Sequence, residues 1–145
     1  MNRMECRLLF VYGSLRRGFE LHPHLESLGA RFLTEARVAA ELMERGAYVG
    51  ARSTGRAGKW VRGEIFQLPH PAQDLRHLDE VEGFTPGAPQ GNEFVRALVS
   101  VVLGGGARRS AWIYWLGART RSTRRIVSGD YKAWMARQST GGAYG

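Results

Sequence analysis

Apolar positions along this chain come in short runs and loose alternations, each ended by glycine or proline, and they predict many short elements rather than long helices. Cys6 to Tyr12 is an apolar run closed by Gly13, short enough and glycine-terminated enough to read as a buried first strand. The residues after it then form a strand-end loop. Pro23 suits the first turn of a short helix through Leu28, with Gly29 as its stop. Arg31 to Glu44 alternates loosely and predicts one or two strands. Residues 50 to 60, rich in glycine and small polar side chains, predict a mobile surface loop. A strand resumes over Trp60 to Leu68 and is stopped by Pro69 and Pro71.

Ala72 to Val81 predicts a helix with Leu75, Leu78 and Val81 along one face and Gly83 as its C-cap. A proline and glycine loop from Thr85 to Gly91 precedes a second strand pair, Glu93 to Leu103 and Arg109 to Leu116, turned at Gly104, Gly105 and Gly106. Ser128-Gly129-Asp130 opens a last helix bearing Tyr131, Trp134 and Met135, and 139–145 is expected to be a frayed tail. About six strands with short helices in the gaps, and no strict βαβ alternation, predict a mixed α+β fold.

A chain of 145 residues with 43% hydrophobic positions fits one domain, 1–145, around one core. No stretch approaches the roughly 20 apolar residues a membrane span needs, and Met1 to Arg7 lacks a signal-peptide run, so a cytoplasmic protein with no membrane partner is expected. The single cysteine, Cys6, reads as a small packed residue. The formal charge of +8, carried almost wholly by arginine, raises nucleic acid as a partner. The one concentration, Arg108, Arg109, Arg119, Arg121, Arg124 and Arg125, is split by the apolar run Ala111 to Leu116 and reads better as a solvated face.

Candidate chemistry narrows quickly. Gly13 to Gly18 has the glycine spacing of a phosphate loop, but Phe19 and Glu20 stand where lysine and a hydroxyl residue would reach phosphate and magnesium. Ser14 is not on a nucleophile elbow, because Tyr12 and Arg16 occupy the glycine positions. The loop can offer backbone N–H groups to an anion, or it can be an ordinary tight turn. Glu82, in the last turn of its helix, has the helix dipole and partial burial acting to raise its pKa above about 4.3, as a general base requires; the alternative is a solvated helix-end glutamate. Asp79 and Glu80 read as solvent-face charges. His22, His24, His70 and His77 show no metal spacing, so no metal site is expected. Gly55-Arg56-Ala57-Gly58 is similar to a G-x-x-G RNA-binding loop without its flanking helices.

Six segments in order, spanning nearly the whole chain, resemble the γ-glutamylcyclotransferase-like family, which includes the γ-glutamylamine cyclotransferases and AIG2-like proteins. Val11 to Gly18 resembles its opening strand and Y-G-[ST]-L loop, Val61 to Phe66 its V-x-G-E-[IVL]-[YF] strand, and Leu78 to Phe84 its L-D-x-x-E-G-[YF] segment. Glu93 to Arg96 occupies the place of its Y-x-R strand, Ala111 to Tyr114 that of its A-x-x-Y strand and Ile126 to Tyr131 that of its closing I-x-x-G-[DS]-[WY] segment. The resemblance implies a mixed-sheet β-barrel flanked by short helices, with Glu82 as catalytic acid/base and Tyr12, Gly13, Ser14 and Leu15 as the substrate-binding loop. It implies cofactor-independent cyclisation of a γ-glutamyl amino acid or amine to 5-oxoproline, by a monomer or homodimer that binds a small molecule and no nucleic acid. A non-catalytic small-molecule binder on the same fold is the alternative, and a basic nucleic-acid-binding domain the third reading. Phe94 stands where the family usually has tyrosine, and the segment around Gly50 lacks a proline often found there.

Overall fold

A computed structural model describes residues 6–53, 58–87, 92–117 and 124–142, the last four of these as backbone alone. Gly55, Arg56 and Ala57 of the G-x-x-G segment, Arg119, Arg121, most of the Pro/Gly loop before Glu93 and residues 143–145 lie outside the described residues. The elements run β1 (Leu8–Val11), α1 (His22–Leu28), β2 (Arg31–Ala39), β3 (Glu41–Arg45), β4 (Tyr48–Arg52), β5 (Trp60–Gln67), α2 (Pro71–Glu82), β6 (Phe94–Leu103), β7 (Arg108–Leu116), β8 (Arg125–Ile126) and α3 (Tyr131–Gly142).

Five strands close a barrel in the order β1-β5-β2-β6-β7, with β1 returning to pair with β7. All the pairings around it are antiparallel except β1 with β7, where Leu9 lies beside Trp112. The mixed α+β barrel expected from the sequence is therefore the fold observed. Strand β1 is buried along its whole length because it is paired on both edges and packed on both faces, which is why its sequence runs apolar rather than alternating. Its neighbour β5 comes so close that a Cβ at Gly63 would lie 2.2 Å from the Val11 carbonyl oxygen and 2.7 Å from the Phe10 ring, so only glycine fits.

One expectation needs correction. The segment that begins the expected loop at residue 50 is part of strand β4, which pairs antiparallel with β3 and parallel with β7 through Ala51 and Trp115. Its glycine reads as loop chemistry but answers a packing need, since a Cβ at Gly50 would lie 2.6 Å from Leu116 Cδ1. Strand β8, on the outer edge of β3, was also not expected; two residues carry no periodicity to read.

Strand β7 has β1 beside it at Trp112 and β4 beside it at Trp115. Between these points the two neighbours part, and Tyr12 bridges the split: its hydroxyl donates to the Tyr114 carbonyl and accepts the Ala51 N–H at 3.0 Å. Helix α2 lays Asp74, Leu75, Leu78 and Asp79 against the barrel and ends at Gly83, bringing Glu82 to the same face. Burying Leu75 and Leu78 contributes about 1.5–3 kcal/mol each to anchoring this helix. Among the described residues no helix is long and apolar enough to cross a membrane. Cys6 is buried and free, packed as expected.

Candidate active site

Where β1 and β4 separate, a cavity of about 360 Å³ opens, walled by Tyr12, Gly13, Ser14, Leu15, Glu82 and Tyr114 together with Phe94 and Tyr131. All five residues singled out in the sequence thus meet in one place, although Glu82 follows the loop by some seventy positions. Glu20, Glu80 and Glu93 also contribute to its lining, and Tyr48 and Val49 of β4 form part of one wall.

The loop after β1 is shaped by what its carbonyls do. Gly13 accepts the Arg16 N–H at 3.0 Å, Ser14 accepts the Leu21 N–H at 2.9 Å, and Leu15 accepts from His22 Nδ1 at 2.9 Å. A carbonyl can only accept, so His22 carries its proton on Nδ1. The N–H groups of Gly13, Ser14 and Leu15, by contrast, find no acceptor among the described residues. Three successive amide donors beside a cavity, with their carbonyls engaged elsewhere, are groups that a carboxylate or an oxyanion can use. The loop is tied down from behind. Buried Arg16 pairs with Asp130 at 2.9 Å and Glu64 at 3.5 Å, and Glu64, fully buried on β5, also accepts the Arg17 N–H at 3.0 Å. Arg16 is thereby a structural clamp rather than a ligand contact, while the Arg17 side chain is exposed and meets Glu35 at 3.3 Å.

Glu82 is half-buried at the cavity wall, and its removal from bulk water raises its pKa to about 7. Burial likewise pushes the Tyr12 and Tyr114 hydroxyls above the ordinary tyrosine range. For Tyr12 the Ala51 N–H partly offsets this and the Glu82 charge adds to it; for Tyr114 the Asp79 carboxylate adds to it, ahead of Glu82. Both remain neutral phenols. Burial, then the charge of Glu20, moves Tyr131 the same way.

Asp79 corrects a second expectation. It is not a solvent-face charge: only 4% of it is exposed, its Oδ1 accepts from Arg96 Nε and from Tyr114 Oη, each at 2.7 Å, and its Oδ2 accepts from Arg96 Nη2 at 3.1 Å. Arg96 in turn lies 4.6 Å over the Trp112 ring. The apolar face of α2 follows the i, i+3, i+4, i+7 rule through Leu75, Leu78, Asp79 and Glu82, and that spacing was the signal available in the sequence. Glu80, off that face, is exposed as expected. Phe94 is buried in the cavity wall, so the hydroxyl absent at that position is one this cavity lacks. No group of three histidine, cysteine or acidic side chains that could hold a metal occurs among the described residues; His24 Nδ1 and His77 Nε2, 3.1 Å apart, join α1 to α2.

Residues 9–133 match the family model described as Gamma-glutamyl cyclotransferase, AIG2-like. The chain belongs to that family. Membership links it to cyclotransferase chemistry in the broad sense and to a small-molecule substrate. No match was found among curated protein sequences. Among solved structures, YkqA from Bacillus subtilis superposes with a TM-score of 0.71 at 21% identity, covering 92% of this chain and 42% of its own, so the chain spans about two fifths of YkqA. An uncharacterized protein from Pyrococcus horikoshii gives a TM-score of 0.65 at 23% identity over 92% of this chain and 97% of its own. A mouse AIG2-like protein gives 0.62 at 20% identity over 83% and 87%. These likenesses establish a shared fold.

Proposed function

We propose that this AIG2-like protein is a γ-glutamylcyclotransferase-type enzyme that converts a γ-glutamyl amino acid or γ-glutamyl amine to 5-oxoproline and the free amine, with Glu82 as general acid/base. The observation that carries the reading is the meeting, in one cavity, of a carboxyl whose pKa lies near 7 with three backbone N–H groups that have no acceptor among the described residues. A carboxyl near 7 can both take and give a proton at neutral pH. The α-ammonium group of the substrate gives a proton to Glu82; the freed amine nitrogen adds to the γ-carbonyl carbon, closing the five-membered ring. As the oxyanion collapses to the lactam carbonyl, the carbon–nitrogen bond to the leaving amine breaks, Glu82 returns its proton to that nitrogen, and the ring nitrogen gives up its surplus proton to solvent water. The amides of Gly13, Ser14 and Leu15 hold the α-carboxylate or the oxyanion of the tetrahedral intermediate. Because the nucleophile is tethered to the carbon it attacks, the protein has mainly to fold the substrate and move protons, which a small cavity can do.

The test is 5-oxoproline release, measured by mass spectrometry over a panel of γ-glutamyl amino acids and amines. Wild type should release it, and Glu82→Gln, which keeps the shape without the proton shuttle, should lose on the order of 10² to 10⁴ in turnover. Ligand binding by both proteins without release by either would favour the non-catalytic binder on the same fold.

A further inference from the structure

Four tyrosines line the cavity, Tyr12, Tyr48, Tyr114 and Tyr131, and for Tyr12 and Tyr114 the direction of the hydroxyl proton follows from its partners. Tyr12 Oη donates to the Tyr114 carbonyl and accepts the Ala51 N–H. Its proton is committed within the fold, and it serves to brace the split between β1 and β4. Tyr114 is held differently. The only hydrogen-bond partner of its hydroxyl among the described residues is Asp79, whose carboxylate also takes two guanidinium N–H groups from Arg96. A guanidinium is always a donor, and both Asp79 oxygens face its N–H groups, so the carboxylate acts as acceptor in this pair. The phenol proton of Tyr114 must therefore point to Asp79, and the hydroxyl oxygen keeps its acceptor capacity.

Tyr114 lines the cavity, the Glu82 charge acts on its hydroxyl, and Asp79 and Glu82 stand three residues apart on one face of α2. The other ionisable groups lining the cavity are Glu20, Glu80 and Glu93, with Tyr12, Tyr48 and Tyr131; Glu20 and Glu80 are exposed, where water competes for any donor. Tyr114 is buried and its hydroxyl is polarised by the hydrogen bond it donates to Asp79, which makes Oη the stronger acceptor for a cation that leaves bulk water.

We propose that Tyr114 Oη accepts a hydrogen bond from the α-ammonium group of the substrate, and that Asp79 and Arg96 are positioning residues that keep this hydroxyl turned as an acceptor. This rests on the γ-glutamyl reading of the cavity. It adds a geometric role that Glu82 cannot fill alone. Once Glu82 has taken one proton, the amine retains two N–H groups, and anchoring one of them on Tyr114 Oη restricts the directions in which the nitrogen lone pair can point. Asp79 and Arg96 need not touch substrate for this.

The experiment compares two probes by calorimetric titration: γ-L-glutamyl-L-alanine, and glutaryl-L-alanine, which has CH₂ in place of the α-carbon bearing the ammonium group. Both are titrated into Glu82→Gln, which leaves the first uncleaved, and into the same protein carrying Tyr114→Phe or Asp79→Asn. With Tyr114 and Asp79 intact, the amine-bearing probe should bind about ten- to a hundredfold tighter. Tyr114→Phe should erase about tenfold or more of that preference and leave glutaryl-L-alanine unaffected. Asp79→Asn keeps the phenol but can donate to it, so the hydroxyl is released from its one direction and the preference should fall again. A purely structural role would weaken both probes alike. The Asn variant also carries the test if Tyr114→Phe fails to fold. An undiminished preference in either folded variant, or equal binding of the two probes with both residues intact, would overturn this inference and leave the γ-glutamyl reading standing. Binding of neither probe would remove that reading and this inference with it.

Discussion

Glu82 owes its chemistry to where it sits rather than to a charged neighbour, since burial is the cause of its raised pKa. A base with a pKa near 7 predicts that kcat/KM rises as pH climbs through about 7 and that this limb is absent in Glu82→Gln. The same shift has a consequence for stability. The folded protein holds a proton up to about pH 7 that the unfolded chain releases near 4.5, so stability is fully present below 4.5 and declines as pH rises through 7. Melting curves of wild type and Glu82→Gln should therefore diverge between pH 4.5 and 8, with the variant gaining; a gap that ignores pH would mean that the carboxyl is not desolvated. Asp79 presents the opposite case, a carboxylate whose charge is matched. Asp79→Ala strands Arg96 against the Trp112 ring and should cost about 3–5 kcal/mol in chemical denaturation, with Asp79→Asn costing less.

At the level of elements, the site depends on how closely β1 and β5 approach and on how α2 ends. Gly63→Ala places a methyl group 2.2 Å from the Val11 carbonyl oxygen, at the root of the loop that bears the amide donors. The variant should lose about 1–3 kcal/mol of stability. Gly105→Ala, in the β6–β7 turn with nothing within 4 Å and no left-handed backbone, is the matched control and should stay within about 0.5 kcal/mol of wild type. Equal losses in the two would show that helix and strand propensity, rather than the close approach, is what glycine serves at position 63. The loop itself is fixed by the buried Arg16–Glu64–Asp130 contacts, so its amides are oriented before any ligand arrives.

For the whole molecule, the +8 charge is the feature that the cyclotransferase reading uses least. Several of the arginines answer carboxylates within the fold: Arg16, Arg17, Arg96, Arg124 and Arg125 all stand within 4 Å of one. A cavity ligand at a hundred times its Kd should stabilise the protein by about 2.7 kcal/mol, seen as a higher melting temperature. Duplex DNA at physiological salt should not. A DNA-induced shift that collapses as salt is raised would return weight to nucleic-acid binding.

Most of the elements, the helix ends at Gly29 and Gly83, and the motifs that meet in the cavity were legible in the chain, because strands, caps and turns are set largely by neighbours a few residues apart. The Tyr12 loop and Glu82 could be named from residues alone, though not the fact that they share a wall. The tertiary structure decided what rests on distant pairing. It placed β4 in the sheet, turned Asp79 inward, and committed the Tyr114 proton to a carboxylate 35 residues away. A carboxylate on a helix looks the same in sequence whether it meets water or a guanidinium; which one it meets depends on the packing of α2 on the barrel, and burial then determines both its charge and the direction of every hydrogen bond around it.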